Sequence, residues 1–231
     1  MGHSGSTTNE ARMRTLLLSL TLVPTLALAS LSPFASTVAG ITIANSHEVV
    51  PGILRGSQPL KKVSELKDYG IDEVIIFKSQ TKTEVDEQLV ALKDLAIKSH
   101  HIPFKWKGLE SPQVACEQIV KALQIIRRAQ KANRTVFFHC TVGEDRTGVL
   151  AGLLRMEVDR ISTDSAWTSE MCANGYADGN PKKPWNVASA IHQELTPLFF
   201  ALAAKVEAGE TLNKASCAGL SPKPVTRTCK K

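Results

Sequence analysis

The sequence lacks the marks of several protein classes. It has no internal repeat, which excludes solenoids and propellers. It holds five cysteines and six histidines, but none at zinc-site spacing, so no metal is expected. No basic run is interleaved with aromatics, and nucleic acid is not expected as a partner. Beyond the first 29 residues no apolar run is long enough to cross a bilayer, so no stable membrane span is expected. The loop from Trp106 to Pro112 contains no aspartate, an absence that bears on the chemistry below.

What remains is a chain of ordinary globular composition. At 231 residues, 43% hydrophobic and 22% charged, it suits one domain with a real core plus appendages. Arg12 and Arg14 precede an apolar run from Leu16 that ends in Ala27-Leu28-Ala29. A basic region, an apolar region and a small-residue end make a cleaved export leader. Cleavage is expected after Ala29, with Thr37-Val38-Ala39 as a second candidate, and the mature chain is expected in the periplasm or secreted. The expected organisation is a leader over 1–29, a catalytic domain over 30–208 and a basic tail over 209–231.

Export changes what cysteines do, because disulfides persist in oxidising compartments. Cys217 and Cys229 bracket a short Gly/Pro/Ser/Thr stretch, and a bridge there would stabilise it by about 3 kcal/mol. Cys116 and Cys172 then pair by elimination. The alternative is that all four stay as thiols, Cys116 being core on its helix.

Hydrophobic spacing supplies the elements. Ile41–Ile43 and Val49–Val50 read as edge strands, and Pro59–Tyr69 as a helix stopped by Gly70. Ile71–Phe77 reads as a buried strand, Glu84–Ser99 as an amphipathic helix and His101–Trp106 as the next strand. Ser111-Pro112 opens a helix with proline at its first position, running to about Asn133. Thr135–Phe138 is a buried strand, followed after a loop by a buried helix from Val149. Ser162–Cys172 and Asn186–Ala208 are further helices. This alternation predicts an α/β fold with a mostly parallel central sheet and helices on both faces. The loop Cys140–Arg146 then falls at the C-terminal end of a strand, where open α/β sheets bind ligands.

That loop carries the chemistry. It stands at a helix N-terminus, where unpaired N–H groups and the helix dipole favour an anion. The same N–H groups stabilise a thiolate, which makes Cys140 a nucleophile near neutral pH. The planar Arg146 guanidinium can fork onto two phosphate oxygens. Gly143 lets the backbone approach closely, and the Thr147 hydroxyl stands within reach of the sulfur. Thr141, Val142, Gly143, Glu144, Asp145 and Arg146 form the phosphate cradle. The implied reaction is attack of Cys140 on phosphorus, followed by hydrolysis of the cysteinyl-phosphate.

His139-Cys140-x5-Arg146-Thr147-Gly148 resembles the signature of the cysteine-dependent protein tyrosine phosphatase superfamily, and the ending Gly-x-Asp-Arg-Thr-Gly resembles its dual-specificity and bacterial branches. Secreted phytate-degrading enzymes are among the relatives the resemblance includes. It implies a phosphomonoesterase without metal or organic cofactor, with His139 orienting the loop. Arg55, in a stretch resembling another motif of these enzymes, is implied to be structural or to bind a remote phosphate; a surface salt bridge is its other reading. Phosphotyrosine-type esters, phosphoinositides and inositol phosphates all fit as substrates.

The proton donor departs from the pattern. The resemblance implies an aspartate in the loop before the proline-started helix, and there the only carboxylate is Glu110. Glu110 also suits a helix N-terminal acid. The other candidate is Asp145, which bacterial relatives carry at the same place. Where those relatives have lysine this chain has Glu144, an acid on an anion site that disfavours highly charged substrates unless it turns away. Lys105, Lys107, Lys182 and Lys183 are candidates for rim contacts. The competing reading is a phosphate-binding module with no working acid.

Overall fold

The structure, a computed structural model, describes residues 34–229 together with Met1 and Gly2. The expected leader lies outside the described residues apart from those first two. Five strands form one sheet in the order β1-β2-β5-β3-β4. They are β1 (His47–Val50), β2 (Ile53–Gly56), β3 (Glu73–Ile76), β4 (Lys98–His101) and β5 (Val136–His139). Only the β1–β2 pair is antiparallel; β5 runs parallel between β2 and β3, and β3 parallel to β4.

Alternation along the strands explains the layers. Ile53, Ile75, Val136 and Phe138 point into one core, whereas Leu54, Val74, Ile76 and Phe137 point into the other. Both faces of β5 are therefore buried, as its unbroken apolar run requires. The first core is covered by α3 (Pro112–Lys131), α4 (Asp145–Asp159) and α6 (Trp185–Glu207). The second lies under α1 (Val63–Tyr69), α2 (Glu87–Asp94) and the Ile41–Ile43 stretch. A short helix, α5 (Thr163–Ala166), leads into irregular turns that run to Gly179. Among the described residues no helix is long and apolar enough to cross a membrane.

Local sequence sets several boundaries. Ser111 caps α3 by accepting from the Val114 N–H, and Pro112 takes its first position. Gly70 ends α1 in the left-handed conformation. Three expectations need correction. The second helix is shorter than 84–99, because Leu95 and Ala96 turn the chain, Ala96 with φ 55°. The following strand therefore starts at Lys98, not His101, and ends at His101, although Ile102 and Phe104 still donate to the Ile76 and Phe77 carbonyls on either side of Pro103. Ile41–Ile43 forms no strand; its isoleucines fill the core from a turn ended by Asn45 at positive φ.

The disulfides also differ from expectation. Cys116 pairs with Cys217 and Cys172 with Cys229, replacing the expected Cys217–Cys229 and Cys116–Cys172 pairs. The reason is that the stretch after Gly209 packs against the body. Leu212 is fully buried, its carbonyl accepts from Arg127 at 2.9 Å, and its N–H donates to Glu157 at 3.2 Å. Asn213 and Ser216 cap each other's turn, which presents Cys217 to α3. Farther on, Arg227 lies 5.8 Å from both the Trp167 and Phe200 rings. Bridges spanning 101 and 57 residues constrain the unfolded chain more than a local loop would; in the chain-entropy model a span near a hundred residues contributes on the order of 4–5 kcal/mol.

Candidate active site

The loop leaves β5 at its C-terminal end and enters α4 at Asp145. Because β5 is central, the neighbouring strands supply the loop's supports. Beyond β2, the Gln58 N–H donates to the Thr141 carbonyl at 3.0 Å. On the β3 side, Arg146 Nη1 donates to the carbonyls of Phe77 (2.9 Å) and Phe104 (2.8 Å), while Nη2 donates to Thr141 Oγ1 at 3.2 Å. The guanidinium is thereby held in one plane beside the loop, as a forked contact to an oxyanion requires.

Cys140 is buried and is the only cysteine outside a disulfide. Burial pushes its thiol up, but the Arg146 charge and hydrogen bonding from the Thr147 hydroxyl and N–H outweigh it. The net shift is downward, toward thiolate. The Thr147 hydroxyl is buried and makes no hydrogen bond of ordinary geometry, so its donor is uncommitted beside the thiol that it helps to lower. His139 is fully buried, and burial holds its imidazole down at about 4. Its Nδ1 therefore carries a proton to the Cys140 carbonyl at 2.8 Å, and Nε2 accepts from the Gln88 amide at 2.7 Å. His139 is a neutral strut and transfers no proton.

Gly143 adopts φ +73°, and its carbonyl turns away from the cleft to accept from Arg55 (2.6 Å) and Asn45 (2.9 Å). A Cβ there would lie 2.5 Å from the Gly56 carbonyl group. Gly143→Ala is therefore expected to destabilise the protein by about 1–3 kcal/mol, a fall in Tm of roughly 2–10 °C. A thermal melt with an unchanged midpoint would contradict this. Arg55 is no surface residue: it is fully buried and also donates to the Glu170 carbonyl at 2.6 Å. Burial, opposed by Glu170, brings its guanidinium down to about 10, so it remains charged.

A cleft of about 460 Å³ opens above the loop. It is lined by Cys140, Thr141, Val142, Glu144, Asp145 and Arg146, and opposite them by Trp106, Asn180, Lys182, Lys183, Pro184 and Val187. Gly143, His139 and Thr147 act from behind. Glu110 is exposed and is not among the lining residues, and neither are Lys105 and Lys107. The Glu144 side chain turns inward: Oε1 accepts from Asn180 at 2.9 Å, and Oε2 lies 3.0 Å from Lys183 Nζ. Burial raises its carboxyl, with Lys183 opposing. Asp145 Oδ1 accepts from the Ala177 N–H (2.8 Å) and from Lys183 (2.5 Å).

Several of these supports carry no linear signal. Gln88, Arg55, Asn45, Asn180 and Lys183 sit on segments remote from the loop, and only the fold brings them to it. Lys78 is another: it donates to Gln58 at 2.9 Å and pairs with Glu84. Burial and the Arg146 charge lower its ammonium. Arg55 and Gln58 lay in a stretch whose pattern drew attention, and Lys183 was a rim candidate, but none of the three showed its partners along the chain. Among the described residues no group of three or more His, Cys, Asp or Glu could hold a metal ion.

The comparisons with known proteins agree with this geometry. The family model described as "tyrosine phosphatase family" matches residues 37–173. That is more than half of the 231 residues. The chain belongs to the tyrosine phosphatase family and is a cysteine-based phosphoric monoester hydrolase of that class.

Among solved structures it is similar to TpbA of P. aeruginosa, at 19% identity and TM-score 0.50, over 74% of this chain and 98% of TpbA. A cysteine-to-serine form of TpbA in complex with pTyr matches at 20% identity and TM-score 0.50, over the same shares. The catalytic core of the PP-IP phosphatase SIW14 from S. cerevisiae matches at 24% identity and TM-score 0.49, over 65% of this chain and 85% of that one. The TpbA likeness shows a shared fold. No curated protein matches the sequence.

Proposed function

We propose that this phosphatase works through Cys140 and Arg146 on esters that carry a single phosphate on an aromatic or apolar group, such as phosphotyrosine. The Cys140 thiolate attacks phosphorus while the bond to the leaving oxygen breaks. Arg146 and the loop N–H groups hold the phosphoryl oxygens through the transition state. Water then attacks the cysteinyl-phosphate, releasing inorganic phosphate and restoring the thiolate. Thiolate, guanidinium and N–H groups supply the electrostatics, so the reaction needs no cofactor.

The observation that carries the substrate reading is the wall of the cleft. Trp106, Val142, Pro184 and Val187 line it, while Lys183 is bound to Glu144 and Asp145. Beyond Arg146 a polyphosphorylated ring would meet one exposed lysine, Lys182, beside two carboxyls and an apolar wall, where it needs several cations. An aryl group would bury its face against Trp106 instead. Export is part of the proposal, supported by the leader-like residues 12–29 and by two disulfides that suit an oxidising compartment.

The test compares a phosphotyrosine peptide with inositol hexakisphosphate on the mature, disulfide-intact protein. The expected kcat/KM ratio favours the peptide by about tenfold or more, the discrimination that 1–3 kcal/mol of lost contact produces. Equal or reversed preference would overturn the substrate reading.

A further inference from the structure

Lys183 is not a rim lysine open to a second phosphate. Its side chain is 6% exposed, and its ammonium is shared between Asp145 Oδ1 (2.5 Å), Glu144 Oε2 (3.0 Å) and the Gly175 carbonyl (2.9 Å). On Asp145 it converges with the Ala177 N–H upon the same oxygen. Two donors on one oxygen stop the carboxyl from rotating. Oδ2 takes neither bond and is not among the buried unpartnered atoms, which makes it the oxygen open to the cleft that Asp145 lines. Glu144, by contrast, has both oxygens engaged, one with Asn180 and one with Lys183. Both of its oxygens are thus already committed to protein donors.

We propose that Lys183 is the positioning residue of the proton donor: held between Glu144 and Asp145, it pins Asp145 Oδ1 so that Oδ2 meets the leaving oxygen. This rests on Cys140 being the nucleophile. As the Cys140 sulfur bonds to phosphorus and the ester P–O bond breaks, the proton on Asp145 Oδ2 passes to the leaving oxygen. In the second step the Asp145 carboxylate takes a proton from water as the water oxygen bonds to phosphorus. The S–P bond then breaks, returning the thiolate and releasing phosphate.

Glu144 has a definite part in this arrangement. Its Oε2 is one of the acceptors that hold the Lys183 ammonium in place beside Asp145. Sharing the ammonium with Glu144 leaves one cation for two carboxyls. The other groups that face the pair are Arg55 behind the loop, Arg146 next along α4, the Cys140 sulfur and the Tyr176 hydroxyl, which burial keeps neutral. The acid at position 144 therefore does not act as an obstacle at the mouth of the anion site; it is turned inward to share Lys183.

The test uses leaving-group dependence, which a merely structural role does not change. Rates are measured for p-nitrophenyl phosphate, whose leaving group needs no proton, and for phenyl phosphate, whose leaving group does. For Lys183→Met the ratio of phenyl to p-nitrophenyl kcat/KM, which covers only the steps up to P–O cleavage, is expected to fall about tenfold or more, part of the 10²–10⁴ that a general acid contributes. Lys183→Arg should restore most of the ratio. Glu144→Gln, which removes the charged partner that anchors the ammonium beside Asp145, should loosen the clamp, lower the ratio in the same direction, and serve if Lys183→Met does not fold. Equal losses on both esters in these variants, or an Asp145→Asn variant with an unchanged ratio, would overturn this inference alone. A Cys140→Ser variant that keeps its rate would overturn the nucleophile and this inference together.

Discussion

Cys140→Ser is expected to abolish turnover, with kcat falling about 10⁴-fold or more on any phosphomonoester, the scale on which removal of a nucleophile acts. A serine hydroxyl at this place stays protonated, because the loop and Arg146 lower a thiol's pKa into reach but not an alcohol's. The variant should still bind vanadate or phosphate, since Arg146 keeps its anchors at Phe77 and Phe104. It should also melt close to the wild type, since sulfur and oxygen differ little in volume. No phosphorylated enzyme should be trapped by rapid quench and mass spectrometry.

The pH dependence of the thiol can be read independently. The other four cysteines are bridged, so iodoacetamide reports on Cys140 alone. The shift at Cys140 is downward. Alkylation should therefore hold its plateau to a lower pH than an ordinary thiol, which loses its thiolate below about 8.5. A variant within tenfold of wild-type activity, or alkylation that rises only through the ordinary thiol range, would remove Cys140 from its assigned role.

Arg146→Lys should be nearly as damaging, although it conserves charge. The guanidinium donates through Nη1 to two main-chain carbonyls and through Nη2 toward Thr141, on the cleft side. An ammonium group cannot hold both carbonyls and present a planar fork to a phosphoryl group. The expected loss in kcat is about 10²–10³-fold, comparable to the removal of one transition-state donor. Because the lost contact is stronger in the transition state than in the ground state, kcat should fall by more than KM rises. A change confined to KM would mean that Arg146 only binds substrate. Thermal stability should fall as well, since the buried carbonyls of Phe77 and Phe104 lose a well-directed donor.

The acid shows how far reasoning along the chain reaches. Glu110 and Asp145 were both open to it, one by its position before a proline-started helix and the other by its place in the loop. Their surroundings differ sharply in the folded chain. Glu110 is exposed outside the cleft lining, while Asp145 lines the cleft with one oxygen held by two donors. Those donors come from Ala177 and Lys183, in a stretch that reads as turns. Gly175 and Pro184 predict that the chain bends there, and nothing in their spacing says what the bend delivers.

The disulfides make the same point from the other direction. Cysteines twelve apart in a Gly/Pro-rich stretch look like a local pair. A single buried leucine, Leu212, together with Arg127 and Glu157, instead draws that stretch across α3. Burial of one apolar side chain is worth about 1.5–3 kcal/mol, enough to change which sulfurs meet, and it leaves no periodicity to read.

Features built from contiguous residues were readable along the chain. A strand, a loop and a helix that follow one another without interruption bring Cys140, Arg146 and Thr147 together by local geometry, so the residues of the proposed nucleophile and phosphate cradle were legible as a group. The order of strands and helices predicted an α/β layer structure in the same way, because hydrophobic periodicity is local. Features assembled from afar emerge in the folded chain alone: the contacts of Arg55, Asn45 and Gln88 behind the loop, the contact of Lys183 with Asp145, the apolar wall of the cleft and the partners of the four bridged cysteines. Each of these depends on contacts between residues far apart in the chain, whose free energy resides in burial and hydrogen-bond geometry that a linear pattern does not encode.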